Sequence, residues 1–409
     1  MNLERVAKME RITLEQAIEV LVQQTKKQTK TNTVSVFEAL NQVLAHDVYA
    51  PINVPSFNRS AMDGYAVKAS ETAGASHETP IKLKVIKQLM AGDYAQLKAE
   101  ANQAVRVMTG SYIPDGFDAV IRQEDTNYGD EVVELYASVK PFMNYSAIGE
   151  DIKQGQLMLQ AGTVLTPIHL GILASLGMEK VEVLAPIKVG LISSGSELAE
   201  APEALKPGQI YDSNRFVLTS RLKQLNVEVV FSKKISDDPT AVASFIKEQM
   251  KNVDLVITTG GVSVGKKDIM HEVISQLEAN RLFWRINMRP GTPVLASLYQ
   301  DKLILGLSGN PFAALTTFEL LFRPILSQAM HTNTYTCVRK QARFKGTFNK
   351  GSKQRRFIRA YYEDGVVSIP TGEHASSVLS SMLGCNCFID IEAGNAGLAE
   401  NETVEVVLL

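Results

Sequence analysis

Between residues 186 and 330 the apolar positions of the chain change period at regular intervals. Short β-branched runs, Lys188 to Ile192, Val227 to Phe231 and Asp254 to Thr258, alternate with stretches of helical spacing at Ser213 to Leu225, Pro239 to Met250 and Asp268 to Leu277. Further strands are predicted near Phe283 to Met288, Val294 to Leu298 and Lys302 to Leu307, followed by a helix over Pro311 to Gln328. Such alternation predicts a central α/β domain, residues 186–330, whose parallel sheet is covered by helices on both faces.

Elsewhere the pattern differs. Thr13 and Gln16 form a capping box ahead of Ala17, Ile18, Leu21 and Val22 at helical spacing, and a second helix is expected from Phe37 to about Ala45. Residues 51–142 hold only short β-rich runs, Ile81 to Ile86, Ala104 to Met108, Ala119 to Arg122 and Val132 to Val139, separated by turn residues. Helix returns at Thr166-Pro167, Gly177 stops it, and Met178 to Leu184 reads as a strand. A linking domain of residues 1–50 and 143–185 is therefore interrupted by a small β domain at 51–142. Residues 331–409 form a terminal β domain with turns at Lys350-Gly351 and Asp364-Gly365.

Composition narrows the class. The 409 residues are 45% hydrophobic and 21% charged, as in folded globular proteins and unlike disordered or rod-like chains. Three cysteines without a Cys-x-x-Cys pair exclude a disulfide framework and suit a reducing compartment. The six histidines are too dispersed for a local zinc motif, so any metal is expected to be oxygen-bound. A charged N-terminus and an uncharged stretch from Gln154 to Met178 broken by glycines and Pro167 predict a cytoplasmic protein with no membrane span.

The net charge of -2 conceals an asymmetry. Arg339 to Arg359 holds nine basic residues and no acidic one; without them the chain has 33 basic against 44 acidic residues, a net of -11. This block reads either as a solvated hairpin face or as a surface for an anionic ligand. Its Phe344, Phe348 and Phe357 have ordinary strand spacing and match no RNA-binding signature, so no nucleic-acid partner is expected.

In an open parallel sheet the ligand crevice lies beyond the carboxyl ends of the strands. The unusual turns fall there: Ser193-Ser194-Gly195-Ser196-Glu197, Asp237-Asp238-Pro239, Thr259-Gly260-Gly261-Val262-Ser263-Val264-Gly265 with Asp268, and Ser308-Gly309-Asn310-Pro311. Small residues and helix N-termini suit an anion. Glu197, Asp237 and Asp268 beside it require a cation such as Mg2+ between like charges, and Arg285 and Arg289 supply fixed positive charge. Each turn alone is ordinary punctuation; their joint placement points to a site. Gly260 to Lys267 also fits most of a phosphate-loop pattern, but Lys267 stands where Ser or Thr would bind Mg2+, which disfavours an NTPase. Asp63-Gly64 and Gly149-Glu150-Asp151 read on chemistry alone as a turn and an acidic loop.

An ordered set of segments resembles the molybdopterin molybdenumtransferase family, which includes the bacterial MoeA proteins and the gephyrin E domain. The segments are Ser60 to Ala66, Met108-Thr109-Gly110, Gly149 to Ile152, Ser194 to Leu198, Gly208 to Asn214, Gly260 to Gly265, Met288 to Gly291, Gly309-Asn310-Pro311 and Ser380 to Leu383. The resemblance implies a multidomain α/β and β fold, with a MogA/MoaB-like three-layer centre and a barrel-like terminal domain. It also implies insertion of molybdate into adenylylated molybdopterin, with Mg2+ and AMP release. The expected assembly is a homodimer sharing active sites, with molybdopterin adenylyltransferase and acceptor molybdoenzymes as partners.

On that resemblance Asp63, Asp151, Glu197, Asp237 and Asp268 are functional acids, with Glu197, Asp237 and Asp268 as Mg2+ ligands. Gly260, Gly261, Ser263, Arg285, Arg289, Pro290, Gly309, Asn310, Pro311, Arg359 and Ser376 take substrate-binding positions. Ser196 and Ser308 depart from the family's usual Asp and Pro. A non-catalytic molybdopterin-binding scaffold is the alternative, and retention of the five acids favours catalysis.

Overall fold

The structure is a computed structural model that describes residues 11–262, 269–372 and 374–409. The first helix, α1 (Leu14–Gln24), is capped as its sequence dictates: Thr13 Oγ1 accepts from the Gln16 N–H, and Gln16 Oε1 accepts from the Thr13 N–H. The chain divides into two compact units, one of residues 33–40 and 44–182, the other of residues up to 32, 41–43 and 183–409.

In the first unit, β1 (Gly64–Val67), β2 (Ile81–Leu89), β3 (Gln103–Val107), β4 (Ala119–Arg122) and β5 (Val132–Leu135) form a mixed sheet in the order β4-β1-β3-β2-β5. Side-chain alternation fills a core on each face. Tyr65, Val67, Ala104, Ala119 and Ile121 pack on one side, while Ala66, Val105, Val107 and Val120 pack on the other with Phe117 and Ile113. The helix α2 (Pro167–Ser175) starts at Pro167 as expected.

Two expectations are corrected here. The stretch from Phe37 to Ala45 is not a helix: a single 3-10 turn, Val36–Glu38, is followed by Asn41 at φ 62°, a left-handed conformation that ends helical propagation. The Leu44 N–H is committed to the Thr163 carbonyl instead. The strand expected to reach Val139 ends at Leu135, and the Val139 N–H is taken by Thr72 Oγ1.

In the second unit, β6 (Lys188–Ser194), β7 (Glu228–Ile235), β8 (Leu255–Thr259), β9 (Asn280–Trp284), β10 (Leu295–Tyr299) and β11 (Lys302–Leu307) form a sheet in the order β7-β6-β8-β11-β10-β9. The first four strands of that order are parallel. The sheet is nevertheless mixed, because β10 runs antiparallel to both of its neighbours, β11 and β9. The reason is local: Gln300 and Asp301 both have positive φ, 50° and 56°, and join β10 to β11 as a two-residue hairpin. A continuous strand through Met288 is also absent, since Arg285 at φ 71° separates β9 from the short strand Met288–Arg289.

The helices follow from strand order. The chain moves from β6 to β7 through α3 (Ser213–Gln224), then back across β6 to β8 through α4 (Pro239–Gln249). Right-handed crossovers in opposite directions put α3 and α4 on opposite faces. Val242, Ala243 and Ile246 of α4 meet Val273 and Ile274 of α5 (Met270–Gln276) over Ile192, Val256 and Ile304. On the α3 side lies α6 (Pro311–Ala329), buried on nearly all sides and packed against both α1 and α3.

Beyond α6, β12 (Arg339–Lys345), β13 (Arg355–Glu363), β14 (Val366–Ser368), β15 (Cys387–Ile391) and β16 (Thr403–Leu408) pair in the order β13-β14-β12-β16-β15. Pairing of β15 with β13 closes them into a five-stranded barrel. Phe344 is buried inside it and Phe357 is also buried, so neither presents a face to a nucleic-acid base. Among the described residues no helix is long and apolar enough to cross a membrane.

Candidate active site

The chain reverses direction across the sheet between β6 and β8, and a crevice belongs at the carboxyl ends of those strands. A cavity of about 1180 Å³ lies there, within the second unit. It collects Glu197, Asp237, Gly260, Gly261, Arg289, Pro290, Gly309, Asn310, Pro311, Arg359 and Ser376.

Its acidic side is built by two neighbouring turns. Asp238 caps α4 by accepting from the Thr240 N–H at 3.0 Å, which frees Asp237 from the helix start. Asp237 Oδ2 accepts instead from the Ser196 N–H at 2.7 Å, tying its carboxylate to the turn that carries Glu197. Adjacent aspartates thus divide a structural and a site role. Among the described residues no group of three metal-ligating side chains assembles; Asp268, the third acid expected there, lies outside the described residues, as does Ser263.

Gly260 and Gly261 form the floor. A Cβ on Gly260, at φ 89°, would lie 2.3 Å from the Ser194 carbonyl oxygen, so only glycine permits this approach. Ser194 Oγ, which did not figure among the expected site residues, is buried with no hydrogen-bond partner among the described residues and lies 3.5 Å from the Cβ position of either glycine. A buried hydroxyl left without a partner is costly unless a ligand or water supplies one. Asn214 is a second missed residue: at the start of α3, its Nδ2 donates to the Gly309 carbonyl at 2.7 Å and joins two lining turns.

The opposite side is cationic. Arg289, Lys350, Arg356 and Arg359 all line it. Arg359 is fully buried, its guanidinium 3.7 Å from the Phe312 ring centroid, and its N–H groups donate to the carbonyls of His374, Ala375 and Val378 and to Ser381 Oγ. It therefore shapes the loop carrying Ser376 while placing beside the cavity a charge that meets no carboxylate among the described residues, and burial pulls its pKa down. The nine-cation block divides: Arg339 and Arg355 bind Asp390, whereas Lys350, Arg356 and Arg359 face the cavity.

The other expected residues lie elsewhere. Arg285 does not line the cavity; its guanidinium is 4.0 Å from the centroid of the Trp284 ring. Asp63 and Asp151 belong to the first unit. Asp63 Oδ1 accepts from both the Thr109 N–H at 2.7 Å and the Thr109 hydroxyl at 2.8 Å, and these bonds hold its carboxyl below the usual range. The Asp63-Gly64 pair is not a turn. Gly64 opens β1, where a Cβ would sit 1.9 Å from the Ile121 carbonyl oxygen, so close approach of β4 demands the glycine. Asp151 is exposed on a loop held by its N–H bond to the Val54 carbonyl.

A three-layer α/β unit with a switch-point cavity and an attached barrel is the architecture of a small-molecule enzyme, and the four cations in this cavity suit a ligand with negative charge. Comparison with known proteins specifies the family. Residues 12–177 match the MoeA N-terminal region (domain I and II), 190–328 the probable molybdopterin binding domain, and 341–409 the MoeA C-terminal region (domain IV). The molybdopterin molybdenumtransferase of Bacillus subtilis is 36% identical over 94% of this chain and 91% of its own. That of Haemophilus influenzae is 35% identical over 97% and 98%. A solved structure of the MoeA protein from Pyrococcus horikoshii superposes with a TM-score of 0.86 at 32% identity, covering 98% of this chain and 99% of its own. The chain belongs to the molybdopterin molybdenumtransferase family, a family of transferases of molybdenum cofactor biosynthesis.

Proposed function

We propose that this transferase inserts molybdate into adenylylated molybdopterin, with Mg2+-dependent cleavage of the adenylate and release of AMP. The observation that supports it is the division of charge within one cavity: Glu197 and Asp237 on the linked turns after β6 and β7, and Arg289, Arg356, Lys350 and Arg359 on the segment after β9 and the barrel. Glu197 and Asp237 offer the hard oxygen donors that suit Mg2+. Bound there, Mg2+ would offset phosphate charge and polarise the bond between phosphorus and its leaving oxygen. The chain's own groups do the rest. Arg289 holds an anionic substrate group, Arg359 adds its charge from behind the loop that it fastens, and the Gly260-Gly261 floor lets a phosphate approach the backbone. Ser194 Oγ offers a hydrogen bond that no group among the described residues uses.

Purified protein incubated with adenylylated molybdopterin, Mg2+ and molybdate should release AMP in step with formation of molybdenum cofactor, and Glu197→Gln should slow release by about 10²–10⁴-fold. Intact substrate after prolonged incubation with the unmodified protein would refute the reading.

The same proposal includes a cytoplasmic homodimer whose active sites draw on both subunits. Its support is the division of acids between the two units, Asp63 and Asp151 in one and Glu197 and Asp237 in the other. Mixing Asp63→Asn with Glu197→Gln, each inactive alone, should then restore about one quarter of the activity, because half the dimers are mixed and carry one intact site of two. No restoration after confirmed subunit exchange would sink the shared site.

A further inference from the structure

The short strand Met288–Arg289 runs parallel to the start of β13, with Arg289 directly opposite Arg356. Neighbouring strands are about 4.8 Å apart, so two guanidinium-bearing residues stand side by side, and both line the cavity. Arg356 is held in place: its Nη1 donates to the Lys350 carbonyl at 2.8 Å, and its guanidinium lies 5.6 Å from the Phe348 ring centroid. Among the described residues neither Arg289 nor Arg356 has a carboxylate within ion-pair distance. The adjacent Arg355, by contrast, is bound by Asp390 and Glu15. Burial, and then the charge of Arg289, lower the pKa of Arg356, so the juxtaposition costs free energy in the empty site. An anion touching both side chains removes that cost.

We propose that Arg289 and Arg356 form a two-pronged clamp for a doubly charged tetrahedral oxyanion, with Arg356 setting the preference for a dianion over a monoanion. Two planar forks can each span an edge of one tetrahedron, a geometry that a lysine at either position cannot reproduce. The inference rests on the transferase reading for the source of the dianion, either free molybdate or a phosphate of the adenylylated substrate. It extends that reading to Arg356, which neither the family resemblance nor its spacing singled out.

The test is calorimetric titration of the full-length protein with molybdate, inorganic phosphate and the monoanion perchlorate. Arg356→Gln should weaken dianion binding by about 10–100-fold, the loss of one charge-assisted contact pair, and Arg356→Lys should recover only part of it. Perchlorate affinity should change by no more than about 2-fold. Loss confined to molybdate assigns the clamp to the free oxyanion; loss confined to phosphate assigns it to the substrate's phosphate. Dianion affinity unchanged in an Arg356→Gln protein that melts like the unmodified one overturns the clamp, as does an unmodified protein that binds neither dianion. AMP release from the same samples keeps the two readings apart: turnover with unaltered dianion binding in Arg356→Gln refutes the clamp alone, whereas tight binding without turnover refutes the transferase reading alone.

Discussion

Arginines occur in two electrostatic states within the second unit. Arg221 and Arg323 converge on Glu319, at 2.6 and 3.5 Å, and that carboxylate is almost completely buried in α6. Arg339 and Arg355 share Asp390 in the barrel, and Arg355 also reaches Glu15 of α1. Arg289, Arg356 and Arg359 meet no carboxylate among the described residues and line the cavity, although Arg356 is the immediate neighbour of Arg355 in the chain. Burying a cation is costly, and that cost falls on Arg323 in the first set and on Arg359 in the second, where Arg356 is half-buried and Arg289 is exposed at the cavity wall. In the first the fold supplies the countercharge, so the group holds α3, α6 and the barrel in register. In the second the countercharge must arrive with a ligand, so the same side chain becomes a binding group.

Breaking the neutralised set should have the largest effect on stability. Glu319→Ala removes the one carboxylate that Arg221 and Arg323 share and leaves them, among the described residues, only neutral acceptors, the Gln224 side chain and the Tyr335, Thr336 and Leu408 carbonyls; a buried cation left without its countercharge costs about 3–5 kcal/mol. Urea denaturation should show that loss, with an unchanged slope if the unfolding remains two-state. A loss below about 1 kcal/mol would show that water screens the pair as it does on a surface, and would dissolve the distinction between the two sets.

That distinction also marks the limit of what the sequence reveals. The elements of the second unit are legible because each carries its own period, and some of the helices their own start signal, as the Asp238-Pro239 start of α4 does. Strand-end turns located Glu197, Asp237 and the Gly260-Gly261 floor for the same local reason. The reading failed where a residue's role is set by a distant neighbour. Gly64 looked like a turn because its meaning lies in the Ile121 carbonyl, 57 positions away. Phe37 to Ala45 looked helical because the Thr163 carbonyl that claims Leu44 is invisible in the sequence. Arg355 and Arg356 are indistinguishable as letters; only the fold gives one of them Asp390 and leaves the other to the cavity. Ser194 likewise reads in the sequence as one small residue of a turn; only the fold buries its hydroxyl without a partner among the described residues.

Asp63 sharpens the comparison from the acidic side, because its charge is held by neutral donors rather than by a cation. The Thr109 N–H and then the Thr109 hydroxyl lower its pKa, so the carboxylate stays ionised below the ordinary carboxyl range. A folded-state pKa below the unfolded one contributes stability that is present at neutral pH and lost as pH falls through the folded value. Thr109→Val removes the hydroxyl and keeps the N–H, so the Asp63 carboxyl should titrate at a higher pH than in the unmodified protein and remain below its ordinary value. Thr109→Ser should restore the original titration. Carboxyl-carbon NMR across the acid range reads this directly, with stability at neutral pH nearly unchanged because solvent reaches the group. An Asp63 titration that does not move in Thr109→Val would mean the hydroxyl spends its time elsewhere, and that the backbone N–H alone orients this acid.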